Sequence, residues 1–167
     1  MPLPTSRREN RRFCGMSAQN AALDFGIEQL GSCLPTCIAI LYTAEHFHPA
    51  YYIYICPALT LIAAVVTIVA YCVRMYALWM YAVALALNGF NFLFWLIALA
   101  GVIASWITST GLDTKKEIPF GSVTVFYIAM IIVILIEILL SILFQLSLWF
   151  AFSDIKDEKD EAQLYKD

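Results

Sequence analysis

The chain has 167 residues, of which 62% are apolar and 14% charged, against roughly 45–50% and about 25% in an ordinary soluble domain. That apolar excess excludes a water-soluble globule, and a net charge of -3 gives no electrostatic footing for a nucleic-acid partner. Because one bilayer crossing takes about 20 residues, a single all-α membrane bundle accounts for the whole length.

The first segment, residues 1–17, is predicted to be a cytoplasmic basic arm carrying Arg7, Arg8, Arg11 and Arg12. The cluster serves first as an orientation signal. It also suits contact with anionic lipid headgroups at ~1 kcal/mol per cation, or a sorting address. Gln19, Asn20 and Asp24 stand where a signal peptide would place its apolar stretch, so none is read here. Leu23, Ile27, Leu30 and Leu34 recur at helical spacing, which predicts a first helix from near Ser17 or Ala18. Its membrane portion, about residues 26–45, is the weakest of the candidates because it holds Gly31, Ser32, Pro35 and Thr36. Asp24 and Glu28 belong to an interfacial turn before it, and insertion leans on the other helices.

A second span at about 52–71 is rich in Leu59, Ile62, Val65, Val66, Ile68 and Val69. No charge occurs between Arg74 and Asp113, and only Glu137 between Glu117 and Asp154. These stretches give spans at about 78–106 and 122–150. The bundle thus covers residues 18–152. The tail from 153 to 167 alternates acids and lysines without an apolar stripe, which reads as a solvated, mobile cytoplasmic segment.

Cations decide the number of crossings. With four spans and both termini inside, Arg7, Arg8, Arg11, Arg12, Arg74, Lys156, Lys159 and Lys166 are cytoplasmic, and only Lys115 and Lys116 are outside. Dropping the first span moves Arg74 and the tail lysines out and worsens the split. The fold expected is therefore an integral four-helix bundle with cytoplasmic N- and C-termini. Trp79 and Trp149 then mark the inner boundary and Trp106 the outer one, as an interfacial aromatic belt requires.

Neither predicted outer loop contains a cysteine, and no Asn-x-Ser/Thr acceptor occurs, which excludes a disulfide-stapled, glycosylated ectodomain. The Cys-Cys-Gly of tetraspanins and the Trp-Gly-Leu-Trp-Cys-Cys of claudins are both missing. Cys33 and Cys37 share a helix face, but Cys37 would lie about 14 Å from His46 along a continuous helix, so small packing residues are expected there and no metal or other cofactor. Cys14, beside the arginines, and Cys72, at the inner end of the second span, occupy places where S-acylation is common, with an inert thiol the preferred reading for each.

The polar residues within the spans form a constellation. Glu137 lies near the bilayer midplane, with Ser141 and Gln145 following at steps of four on one face of the fourth helix. The third helix carries an alternating four-and-three stripe of Ala84, Asn88, Asn91, Trp95, Ala98, Val102 and Ser105. Both stripes are expected to face inward. Antiparallel pairing would bring Asn91 level with Glu137 and Asn88 near Ser141. An ionised carboxylate is costly at that depth, so the expected state is a protonated Glu137 donating a hydrogen bond that fixes the bundle. A proton- or ligand-binding carboxyl, or a contact to another subunit, is the alternative.

Catalysis finds no support. The two histidines, His46 and His48, fall in a short outer loop, no nucleophile, base and orienting group come together, and no Gly-rich phosphate loop occurs. The third span reads Ala86-Leu87-Asn88-Gly89-Phe90-Asn91-Phe92-Leu93-Phe94-Trp95-Leu96-Ile97-Ala98-Leu99-Ala100. It resembles the third helix of MARVEL-type proteins, particularly fungal ones, in which a polar-aromatic stretch leads into Phe-Trp-Leu-x-Ala. Short outer loops, a tight inner turn at Arg74 and a charged tail are similar too. The resemblance implies a non-enzymatic protein of a eukaryotic plasma membrane or endomembrane vesicle. It would organise microdomains or vesicle traffic through lateral contacts with membrane lipids and other membrane proteins, self-association included. The polar first span and Glu137 depart from that pattern. The competing class is a proton-translocating proteolipid-like subunit using Glu137. Rotor rings need close-packed small residues, whereas this chain has seven glycines and none in the fourth span. An accessory subunit of a larger transporter or channel is the third reading.

Overall fold

The computed structural model describes residues 12–13, 15–44, 51–73, 77–108 and 122–164. A two-residue hairpin, β1 (Arg12–Phe13) with β2 (Met16–Ser17), precedes four helices: α1 (Ala18–Ala44), α2 (Tyr51–Cys72), α3 (Ala77–Thr108) and α4 (Val123–Leu164). The hairpin reverses at Gly15, whose φ of 81° is a left-handed conformation open to glycine at little cost. Ser17 then accepts the backbone N–H of Asn20 at 3.4 Å, a cap where the sequence predicts α1 to begin.

Each helix packs on its neighbours in chain order, and α1 closes the ring against α4. Antiparallel register follows from the contacts. Along α1–α2, Asn20 meets Tyr71, Gly26 lies against Ala64 and Thr67, and Cys33 reaches Pro57. Along α3–α4, Leu85 meets Gln145, Asn88 meets Ser141, and Trp106 stacks on Tyr127 with ring centroids 6.2 Å apart.

Buried positions repeat at alternating three and four residues on every helix. They include Ala22, Gln29, Cys33 and Thr36 on α1, and Cys56, Thr60, Ala63, Thr67 and Ala70 on α2. On α3 they are Ala77, Tyr81, Ala84, Asn88, Asn91, Trp95, Ala98, Val102 and Ser105. On α4 they include Ile134, Glu137, Ser141, Phe144, Leu148, Ala151 and Ile155. A mean period of 3.5 keeps one seam facing inward along the length of slightly supercoiled helices. Two apolar clusters result. Cys56, Trp95, Ala98, Val102, Phe126, Tyr127 and Ile134 fill one end, while Ala22, Ala63, Ala70, Tyr81, Phe144, Leu148 and Ile155 are among the residues filling the end nearer the α2–α3 connection.

Among the described residues, three helices are long and apolar enough to cross a membrane, within Ile55–Cys72, Ala77–Thr108 and Val123–Asp160. Their outward faces are large and apolar, as with Leu61 and Val65 on α2, Phe90, Leu93 and Ile97 on α3, and Ile132, Ile136 and Leu139 on α4. α1 is not among the three. Its exposed positions include Asp24, Glu28, Gly31 and Pro35, and Pro35 takes one N–H out of the helical ladder.

The last segment corrects one expectation. Residues 153–164 are not a loose tail but the continuation of α4, which runs unbroken to Leu164. Ile155 extends the inward seam one turn beyond Ala151 and is buried in the apolar cluster with Ala22, Ala77 and Tyr81. A single inward Ile at the right phase anchors the turn that the charges around it obscure.

Candidate functional site

Between the two apolar clusters lies a polar band to which all four helices contribute. α3 and α4 supply its densest part. Asn88 Nδ2 donates to the Ser141 carbonyl at 2.9 Å and to Gln145 Oε1 at 2.8 Å, and Asn88 Oδ1 accepts from Ser141 Oγ at 3.1 Å. Gln145 Nε2 donates onward to the Leu85 carbonyl at 3.3 Å. Asn88 and Ser141 are buried and Gln145 half-buried, so these bonds form where water cannot compete, and every one crosses the α3–α4 seam.

One turn away, the expected partnership of Asn91 with Glu137 is replaced by two others. Thr36 Oγ1 of α1 donates to Glu137 Oε1 at 2.6 Å, and Asn91 Nδ2 donates to Thr60 Oγ1 of α2 at 2.8 Å. Glu137 is therefore partnered by a hydroxyl of α1, not by the Asn91 amide that stands level with it. The seam explains the exchange. Asn91 faces the α2 side of the interior and Glu137 the α1 side, so each finds the adjacent helix before it finds the other.

Thr36 is unusual among the bonded threonines. Thr60, Thr67 and Thr108 donate to the carbonyl four residues earlier, those of Cys56, Ala63 and Ala104, as helical threonines commonly do. Thr36 gives its hydroxyl to Glu137 instead, and so ties α1, the least apolar helix, to α4. Cys33, one turn before it, is buried and its thiol donates to the Pro57 carbonyl at 3.1 Å. Sequence reasoning does not single out Thr36, Thr60 and Cys33 as site residues. The signal exists, because they fall on the same three-and-four repeat that is evident on α3.

Three buried polar atoms, Asn91 Oδ1, Trp95 Nε1 and the Tyr81 hydroxyl, have no hydrogen-bond partner among the described residues. All three lie on the inward stripe of α3. Trp95 is 2% exposed and belongs to the apolar cluster beyond the polar band, so the aromatic pair Phe94-Trp95 is not an outward surface motif. Phe94 packs half-buried beside it.

Other named residues disperse. Cys72 is exposed at the end of α2, whereas Cys14, Arg7, Arg8 and Arg11 lie outside the described residues, as do His46 and His48. Arg12 opens the hairpin. Cys37 is exposed and Cys33 is not. Among the described residues, no three His, Cys, Asp or Glu side chains are grouped to hold a metal ion. Trp79, at 73% exposed, and Trp149, at 58%, face outward at the end holding the α2–α3 connection.

Compared with protein-family models, curated proteins and solved structures, the chain matches none. Its chemistry has to be read from its own residues.

Proposed function

We propose that the chain is a non-enzymatic membrane protein that crosses the bilayer four times with both termini cytoplasmic, and that it organises membrane microdomains or vesicle traffic through lateral contacts with lipids and other membrane proteins. One observation carries the proposal: the division of side chains between the inside and the outside of the bundle. The polar groups of the interior are mostly taken up in bonds between helices, while the outward faces of α2, α3 and α4 present large apolar side chains. A bundle built this way exposes to its neighbours a surface for packing, not for turnover.

The fourth crossing rests on α1. Its side chains are too polar to insert alone, and its bonds to α2 and α4 through Cys33 and Thr36 supply what its composition lacks. The likeness of the third span to MARVEL-type proteins supports the same reading, and the lateral contact surface on that span is formed by Phe90, Leu93 and Ile97, which are exposed. Tags at the two termini, probed in sealed cells, test the crossing number, since two inaccessible tags are expected. Replacing Phe90, Leu93 and Ile97 with alanine should redistribute the protein in the membrane and change its copurifying partners without unfolding it. Unaltered distribution and partners would remove the basis for the proposal.

The second reading, a proteolipid-like proton carrier, draws on Glu137. Here the carboxyl is 6% exposed and bonded to Thr36 of its own chain. A group that hands protons to another subunit has to be reachable from it. Proton movement lost on Glu137→Gln, together with carbodiimide labelling of the wild-type carboxyl, would favour that reading over the one proposed.

A further inference from the structure

The two unpartnered atoms near the middle of α3 are of opposite kinds. Trp95 Nε1 is an N–H donor without an acceptor, and Asn91 Oδ1 is an acceptor without a donor, among the described residues. Both residues are buried, at 2% and 0% exposure. Buried polar groups in folded proteins are almost always hydrogen-bonded, to protein or to ordered water, because an unmade bond leaves the full cost of desolvation. A flip of the Asn91 amide does not cure the mismatch. It would set the amide oxygen against Thr60 Oγ1, whose proton is already given to the Cys56 carbonyl.

Positions four apart on a helix share a face, with Cβ atoms about 5–6 Å from one another. One small molecule that both accepts and donates would satisfy the two atoms together, taking the indole N–H and giving a proton to the amide oxygen. A metal cation does not fit, because it cannot accept from an indole N–H. The geometry points to a bound water inside the bundle, accepting from Trp95 Nε1–H and donating to Asn91 Oδ1. About two to four hydrogen bonds hold an internal water, and this pair supplies two. Both groups stand on α3, so the site does not depend on whether α1 crosses the membrane.

The test uses the full-length protein in lipid nanodiscs with 15N-labelled tryptophan. The four indole resonances are Trp79, Trp95, Trp106 and Trp149, and Trp95→Phe identifies the one concerned. The expected result is a Trp95 indole proton in slow exchange with solvent, with a cross-peak to water whose NOE and ROE signs mark a bound molecule. Asn91→Leu should weaken that cross-peak strongly. The proposal is overturned if the indole proton shows contacts to side-chain methyls or lipid alone, at a chemical shift of an unbonded N–H. It is equally overturned if Asn91→Leu leaves a strong water cross-peak unchanged. Should either variant fail to fold, the wild-type water cross-peak decides by its presence or absence, with the sequential backbone assignment supplying the identity of Trp95.

Discussion

Replacing Asn88 with leucine, nearly the same shape without the amide, removes three hydrogen bonds across the α3–α4 seam, namely those to the Ser141 carbonyl, Gln145 Oε1 and Ser141 Oγ. Interhelical hydrogen bonds inside membrane proteins average ~0.6 kcal/mol, with a maximum near ~1.7, because the separated helices also find partners. Three average bonds give about 2 kcal/mol, and three of the strongest about 5. The lower value is expected. Ser141 Oγ can turn back to a carbonyl of its own helix, and Gln145 keeps its bond to Leu85. A loss of about 2 kcal/mol lowers the folding equilibrium constant roughly 30-fold. Steric trapping in bicelles or reversible unfolding in mixed micelles measures it. A double-mutant cycle with Ser141→Ala isolates the pair, for which a coupling of roughly 0.6–1.7 kcal/mol is expected. A cost below about 0.5 kcal/mol, within the range of an ordinary surface substitution, would show that the polar band does not hold these helices together. Zero coupling in the cycle would lead to the same conclusion.

Other substitutions probe other seams. A Cβ at Gly26 meets Thr67 Cγ2 at 3.6 Å and the Ala64 carbonyl at 3.8 Å, so Gly26→Ala should be neutral or stabilising by up to ~1 kcal/mol. Gly26→Leu should push α1 from α2 and cost ~1–3 kcal/mol, both read by the same unfolding assay. Thr36→Val strands the Glu137 carboxyl and should cost ~1–3 kcal/mol. Thr67→Val loses only a bond to its own helix and should cost clearly less, so equal costs would contradict the assigned bonding. In a Cys14→Ser background, a maleimide should modify Cys72 in the folded protein and reach the buried Cys33 and Cys56 only after unfolding, as peptide mass spectrometry can follow.

Much of the helical layout is legible in the sequence because one signal, the absence of charge over long stretches, depends on solvent alone. The start of α1 at Ala18 and the inward face of α3 are equally readable, the first from the helical spacing of Leu23, Ile27, Leu30 and Leu34 and the second from a strict three-and-four spacing. What escapes are partner choices. Asn91 and Glu137 stand at matching depth, but depth does not fix which side of the interior a side chain faces. That is set by the tilt and phase of all four helices together. Thr36 and Thr60 escape for a related reason. A threonine in an apolar helix usually satisfies its own carbonyl, and only the tertiary structure reveals which one does otherwise. The helical tail is hidden because the charged residues from Asp154 to Asp167 outweigh one isoleucine in any local average.

At 42 residues, α4 is about 63 Å long at a rise of 1.5 Å per residue, twice the roughly 30 Å of a bilayer's hydrocarbon core. It contains neither proline nor glycine, so it has no built-in joint. Its charged end therefore works as a lever. Anything that grips the residues around Lys159 and tilts or rotates them moves the shaft as one piece, and Glu137 sits on that shaft about 40 Å from Leu164. A docking event at that charged end would be felt at the level of the carboxyl as a change in angle.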